Sequence, residues 1–526
     1  MRFTTFLLAL QGVAFAYSSQ ALEPKALSRA SGTFTNPVLY EDFADNDVFL
    51  GPDNKFYFSA SNMHYSPGAP ILRSSDLVNW EFVGHSVPSL SWSTKYNMTG
   101  GETAYRAGTW ASTMRYRKSN GLWYWIGCID FWNSYVYTAP DAAGPWTQRA
   151  SLNGNCYYDC GLHIDDDDTM YVVHGNTQIS MSQLAPDGFS EVKSQQIFVT
   201  PPGVSGLEGN RLYKRNGTYY VLDDAPSDGA TYIWKASSPW GPWTSKLLQK
   251  GVTSPVPGGG VPDQGSLIQT PTGDWYFMSF TWAYPSGRMP ILAPITWGSN
   301  DFPILSSING TWGTTYPSPL PIISTPSWTG TENFHGFSLS PQWEWNHNPD
   351  TTKFALGNNS LVLSTATITS DLYKARNTLT HRIHGPLPVG TIALDYTSML
   401  DGDRAGLAAF RDHSSYIGIH FLNNTYILSF VNGMAQNSSD WSTLSTGTTL
   451  ATVDVSDKRK LWLRVSLDAR ASGSKEAKYF WSADGVGFKQ LGGAATLNTD
   501  WQYFMGYRFG IFNFATKGLG GQCEGY

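Results

Sequence analysis

Five stretches of this chain repeat one short grammar, a turn followed by a strand with tyrosine at its third position. They are KFYFSAS (Tyr57), LWYWIGC (Tyr124), TMYVVHG (Tyr171), TYYVLDD (Tyr220) and DWYFMSF (Tyr276). The segments before them are GPDN, KSNG, DDDD, KRNG and PTG. Asn-Gly and Asp-rich turns between apolar runs are hairpin signals, so each unit is at least strand, turn and strand. Several units then close on a tryptophan strand, as at Trp80, Trp146 and Trp243. A unit of about fifty residues repeated in one register is the mark of propeller blades. Regular hairpins also occur in β-sandwiches, but five like-ordered units favour a five-bladed β-propeller over residues 36–324.

A chain of 526 residues exceeds what one hydrophobic core usually supports, so a second domain is expected. After the linker PIISTPSW the grammar changes to alternating strands such as SLVLSTA, KLWLRVSL and FGIFNFA. That alternation predicts a jelly-roll-type β-sandwich over residues 334–526. The chain is thus expected to be all-β.

Charged residues make up only 14%, whereas Trp (21), Tyr (28) and Phe (27) are plentiful. With a net charge of -6 and no Lys/Arg cluster there is no footprint for nucleic acid, and a neutral polymer suits the balance better. Arg2, the apolar run from Phe6 to Ala16 and the small-residue ending Ala14-Phe15-Ala16 predict a secretory signal over residues 1–16. That apolar run is too short for a membrane span, so a secreted, extracellular protein is expected. It is also expected to be a monomer. Six sequons, at Asn97, Asn216, Asn309, Asn358, Asn423 and Asn437, would accept glycans in a eukaryotic host. Four cysteines leave disulfide connectivity open; Cys156 and Cys160 could pair only across a turn.

Counting back twelve positions from each signature tyrosine lands on Asp45, Ser112, Asp159, Glu208 and Gln264. In a propeller the first strand of each blade lines the channel, so these five form a ring, and three are carboxylates. Glycoside hydrolysis needs one carboxylic acid to protonate the leaving oxygen and one carboxylate to activate water. Crowded carboxyls also keep one of their number protonated. The register therefore assigns Asp45 as base, Glu208 as acid and Asp159 as the group that raises and orients Glu208. Asp165 to Asp168 fill a turn where Asp is favoured on backbone grounds, and Asp223 and Asp224 read as rim or structural groups.

NPVLYEDFADNDVF, GTWASTMRY, YYDCGLHIDDDD, EGNRLYKRNGTYY and GRMPILAPITW together resemble glycoside hydrolase family 43 along nearly the whole chain. The resemblance implies an inverting mechanism with base, modulator and acid at Asp45, Asp159 and Glu208. It also implies that Arg288 binds the terminal sugar and Trp110 lines its pocket, with Gln264 added from the ring. Two departures stand out: DND replaces the Asp-Pro of many relatives, making Asp47 a rival base. Where many members carry a channel histidine, sometimes with calcium, this chain has Pro262-Asp263-Gln264-Gly265. No cofactor is therefore expected. The C-terminal likeness to xylosidase-like and arabinofuranosidase-like members implies a terminal pentose substrate, α-L-arabinofuranose on arabinoxylan or β-D-xylose on xylo-oligosaccharides, with arabinofuranose preferred. A non-catalytic sugar-binding propeller is the rival from another class. A retaining fructan hydrolase is disfavoured by the missing Asn-Asp-Pro-Asn sequence.

Overall fold

The computed structural model describes residues 32–525. The secretory signal expected over residues 1–16 lies outside the described residues. Five four-stranded antiparallel sheets follow one another, each in simple strand order, and among the described residues helix is confined to short 3-10 turns. Their innermost strands are Asp47–Leu50, Thr113–Arg117, Gly161–Ile164, Glu208–Arg215 and Pro262–Gln269. These touch their neighbours in turn around a ring, the fifth against the first, which is the five-bladed propeller. Closure is stitched by Ser266 Oγ, which accepts from Val48 N at 3.0 Å and donates to Asn46 O at 2.9 Å. Outside the ring, Thr33–Thr35 pairs with Thr315–Pro317, so the first and last propeller segments hold each other.

Each signature tyrosine falls in its blade's second strand: Phe56–Ser59, Leu122–Ile129, Met170–Asn176, Thr218–Ala225 and Trp275–Trp282. Those strands are apolar on both faces because each lies inside a blade that packs against two neighbours. Apolar side chains such as Phe58, Trp80, Leu222 and Phe277 fill the spaces between blades.

The C-terminal region is a two-sheet sandwich with a dry core that includes Leu361, Leu407, Ile417, Leu463 and Tyr479. Lys460–Leu467 shows why: its residues alternate half-buried and buried along the whole strand, the period of a sheet with one face on the core. The propeller contributes Tyr65–Ser66, which pairs with Trp343–Asn346 at the edge of one sandwich sheet. A buried charge cluster locks the same junction. Glu344 is fully buried and takes hydrogen bonds from Arg382 Nη1 at 2.7 Å and from Arg508, with His85 Nε2 at 2.9 Å. Burial would push this carboxyl up, but the two guanidinium groups win and hold it far below the usual range.

Candidate active site

Asp45, Asp159 and Glu208 stand at the starts of the innermost strands of blades one, three and four, so all three gather at one mouth of the channel. Asp45 and Asp159 have positive φ, 56° and 46°, a left-handed backbone that Asp tolerates better than most residues. Such conformations persist only where the surroundings impose them, and they concentrate at functional sites. Here the imposing group is Arg211. Fully buried, it donates from Nη2 to Asp45 O at 2.8 Å and from Nη1 to Cys160 O at 2.7 Å. Asn210 Nδ2 holds Asp159 O at 3.0 Å.

The Asp45 carboxylate is buried and clamped. Oδ1 accepts from Arg288 Nη1 at 2.7 Å and Oδ2 from Ser61 Oγ at 2.5 Å. Arg288 is itself buried, ringed by Phe280, Trp282 and Phe504, and donates from Nε to Phe504 O at 3.0 Å. Its backbone N–H is held by Asp42 Oδ1 at 2.7 Å, while Asp42 Oδ2 accepts from Gly506 N at 3.0 Å. Gly287 must be glycine, because a Cβ would lie 2.4 Å from Asp42 Oδ1 and its φ is 113°. The sandwich thus reaches Asp45 through Phe504 on Arg288 and through Gly506 on Asp42.

Glu208 is half-buried and accepts from Asn176 Nδ2 at 2.8 Å and Tyr158 OH at 3.2 Å, both on its Oε2. Asp159 Oδ2 accepts from Gly209 N at 3.0 Å, so the residue after Glu208 carries the hydrogen bond to its neighbour. Gly209 has φ 73° and approaches Gln264 so closely that a Cβ would sit 2.8 Å from Cγ. Burial, reinforced by the charges of Glu208 and Asp45, holds Asp159 well above the carboxylate range. Glu208 is raised too, first by burial, then by the Asp263 charge and by Asp45, against its two hydrogen bonds. The Asp159–Glu208 pair therefore retains a proton where isolated carboxyls would have lost theirs.

Asp47, the rival base, is fully buried beneath this mouth. It accepts from Thr113 Oγ1 at 2.7 Å, Met114 N at 2.9 Å and Arg115 Nη1 at 2.7 Å. Burial would raise its pKa, but Arg115 and Arg211 overcome that and lower it. It is a charge bolt in the channel, out of reach of a sugar. Ser112 is buried too, taking the indole N–H of Trp125 at 2.9 Å.

The walls are aromatic and come from both domains. Trp110 lies 5.4 Å from Phe131 and 5.1 Å from Phe504, ring centre to ring centre, and its indole N–H is shielded yet without a partner. Phe131 stacks on Tyr158 at 5.9 Å, and Phe504 meets Trp282 at 5.9 Å. Gln264 is buried with Nε2 unpartnered. A disulfide joins Cys128 to Cys156, three positions before Asp159, leaving Cys160 and Cys523 as buried thiols. Sequence reasoning missed Ser61, Asp42, Tyr158, Asn176, Asp263 and Phe504. Tyr158 and Asp263 had a local signal, each standing beside a ring residue, Asp159 and Gln264.

The description "Glycosyl hydrolases family 43" matches residues 34–303, and "Beta xylosidase C-terminal Concanavalin A-like domain" matches residues 331–524. A beta-xylosidase of Formosa agariphila is 26% identical over 561 residues, covering 93% of this chain and 88% of its own. A non-reducing end alpha-L-arabinofuranosidase of Bacteroides ovatus is 27% identical over 346 residues, 61% of this chain and 63% of that protein. Among solved structures, a family 43 glycoside hydrolase engineered to display both endo-xylanase and exo-arabinofuranosidase activity has a TM-score of 0.89 at 41% identity. It covers 94% of this chain and 98% of that one. With its propeller, its sandwich and its carboxyl ring, this chain belongs to glycosyl hydrolase family 43 and is a glycosidase of that family.

Proposed function

We propose that this protein is an inverting, exo-acting hydrolase that releases terminal pentose from plant cell-wall polysaccharide, with α-L-arabinofuranose on arabinoxylan as its preferred substrate. The observation that carries the chemistry is the unlike treatment of its carboxyls. Asp45 is pinned by a guanidinium and a hydroxyl, which fix the orientation a base needs. Glu208 is held above the usual range, as an acid needs. Base and acid stand on blades one and four, which are not neighbours in a ring of five, and inversion needs room between them for a water.

In this mechanism Glu208 gives its proton to the leaving oxygen while Asp45 takes one from the attacking water on the opposite face of the sugar. Asp159 keeps Glu208 protonated. Trp110, Arg288 and Gln264 hold the terminal sugar, and Arg288 also fixes the orientation of Asp45. No cofactor enters this scheme, and we place the enzyme outside the cell as a monomer. Support for arabinofuranose comes from the structural relative at 41% identity, whose engineered form displays exo-arabinofuranosidase activity beside endo-xylanase activity. The beta-xylosidase names among the relatives favour a second reading, release of β-D-xylose from xylo-oligosaccharides.

Nitrophenyl α-L-arabinofuranoside, nitrophenyl β-D-xyloside and intact arabinoxylan should be offered separately, with the released sugars identified and proton NMR following the first anomer. Arabinose from the polymer with inverted configuration is expected. Xylose alone would replace the substrate, and a retained anomer would remove Asp45 from its role as base.

A further inference from the structure

Glu208 has carboxyl neighbours on both sides. Asp159 approaches from blade three, and two further acids close in from blades four and five. Asp224 is the last residue but one of the second strand of blade four, directly opposite Glu208 in the strand register. It is 2% exposed, and Thr231 Oγ1 donates to its Oδ1 at 3.1 Å. Its Oδ2 is buried with no donor, and the group within hydrogen-bonding reach is the carboxyl of Asp263. Asp263 is 7% exposed and already receives two N–H groups, Trp282 Nε1 on Oδ2 at 2.7 Å and Gln264 N on Oδ1 at 3.1 Å.

Two carboxyl groups can face each other in a dry site only with a proton between them. Asp263, with two N–H donors, is the better place for the charge. Asp224, with one hydroxyl, is the better place for the proton. The strand supplies the position: register shifts between Pro262 and Gly265, and Ser279 Oγ fastens Asp263 O at 2.5 Å.

We propose that Asp263 is a second modulator of the acid Glu208, acting from the side opposite Asp159, and that protonated Asp224 is the buried prop that keeps the Asp263 carboxylate in place. This rests on Glu208 being the general acid. The other ionisable groups around Glu208 are Tyr158 and Asp159 from blade three, Asp45 with its partner Arg288 from blades one and five, and Asp224 from its own blade, while Arg211 acts on Asp159. After burial itself, the Asp263 charge is the strongest influence raising Glu208. A proton-sharing pair beside the acid costs the enzyme no extra net charge beyond the one that Glu208 feels.

The test is kcat/KM against pH for the full-length protein and for Glu208→Ala, Asp224→Asn, Asp263→Asn and the Asp224→Asn/Asp263→Asn double variant, on whichever nitrophenyl pentoside the wild type turns over. With less negative charge beside it, Glu208 should lose its proton at lower pH. The descending limb in Asp263→Asn should therefore move about one unit to the acid side, and at least as far in the double variant. In Asp224→Asn the amide still donates to Asp263, so that limb should stay within roughly 0.3 unit of wild type. A double variant with the wild-type thermal transition and an unmoved limb overturns the proposal, as does Asp224→Asn shifting as far as Asp263→Asn. If Glu208→Ala keeps the wild-type limb, the assignment of the acid itself is wrong. A limb abolished in Glu208→Ala but unmoved in the double variant removes only the role given to Asp263.

Discussion

Blade three carries an acidic cluster at each end of one short strand, Gly161–Ile164, and the two have opposite fates. At the channel mouth, Asp159 faces Glu208 and Asp45 and is pushed well above the ordinary range. At the far end, Asp165 takes hydrogen bonds from Lys214 and Tyr219, and Asp168 from Arg117 and Ser119; both carboxyls are lowered. Acid density alone therefore says nothing about function. What separates the ends is whether a carboxyl's partner is a cation near water or another carboxyl out of it.

If that contrast is right, the largest effects lie at one end. Glu208→Gln and Asp45→Asn should each lower kcat/KM on native arabinoxylan by about 10³ or more, the scale of a lost general acid or base. Asp166→Asn, whose side chain is 90% exposed, should leave it within about twofold. Initial rates on one substrate batch decide this, and a loss at Asp166 comparable to that at Glu208 would erase the distinction between the clusters.

Asp159→Asn sharpens the comparison by separating activity from stability. Activity should fall about 10²-fold, because the acid loses the neighbouring carboxyl with which it shares a proton. Stability should move the other way. The folded protein keeps a proton on Asp159 above its ordinary value of 3.8, so it binds more protons than the unfolded chain and loses stability as pH rises through the raised pKa. An amide has no such loss. Thermal melts should therefore show Asp159→Asn more stable than wild type by roughly 1 kcal/mol at pH 8, with the gain gone by pH 3. A variant less stable at both pH values would mean that Asp159 is there for the fold.

The tyrosine register found Asp45, Asp159 and Glu208 because propeller symmetry turns equal spacing into one ring at one mouth, and three carboxyls on that ring stand out. It passed over Asp263, one position from Gln264, for a physical reason. The ladder shifts between Pro262 and Gly265, and a slip of one residue exchanges the faces of a strand. Asp224 looked like a strand-end rim group because its carboxyl partner belongs to another blade. The aromatic wall was less legible still. Phe504 meets Arg288 across 216 positions of sequence, and nothing local marks either as waiting for the other. The disulfide partner of Cys156 could not be read from spacing, since Cys128 reaches it only once blade two has folded and Ser134, opposite Cys128, holds Asn155 and Tyr157 on either side of Cys156.

The smallest effect tests the far end by the opposite sign. Asp168 sits at φ 70°, a left-handed turn position that asparagine also adopts readily, so Asp168→Asn removes charge while sparing the backbone. Its pKa is lowered, chiefly by the hydrogen bonds from Arg117, so its contribution is present above the ordinary 3.8 and disappears as pH falls through the folded value. With 38% of that side chain open to water, solvent screening keeps the contribution below about 0.5 kcal/mol. Asp168→Asn should then melt slightly below wild type at pH 6 and match it at pH 3, the reverse of Asp159→Asn, with turnover unchanged. Were both variants to shift the same way with pH, the two ends of the blade would not differ in the manner their partners require.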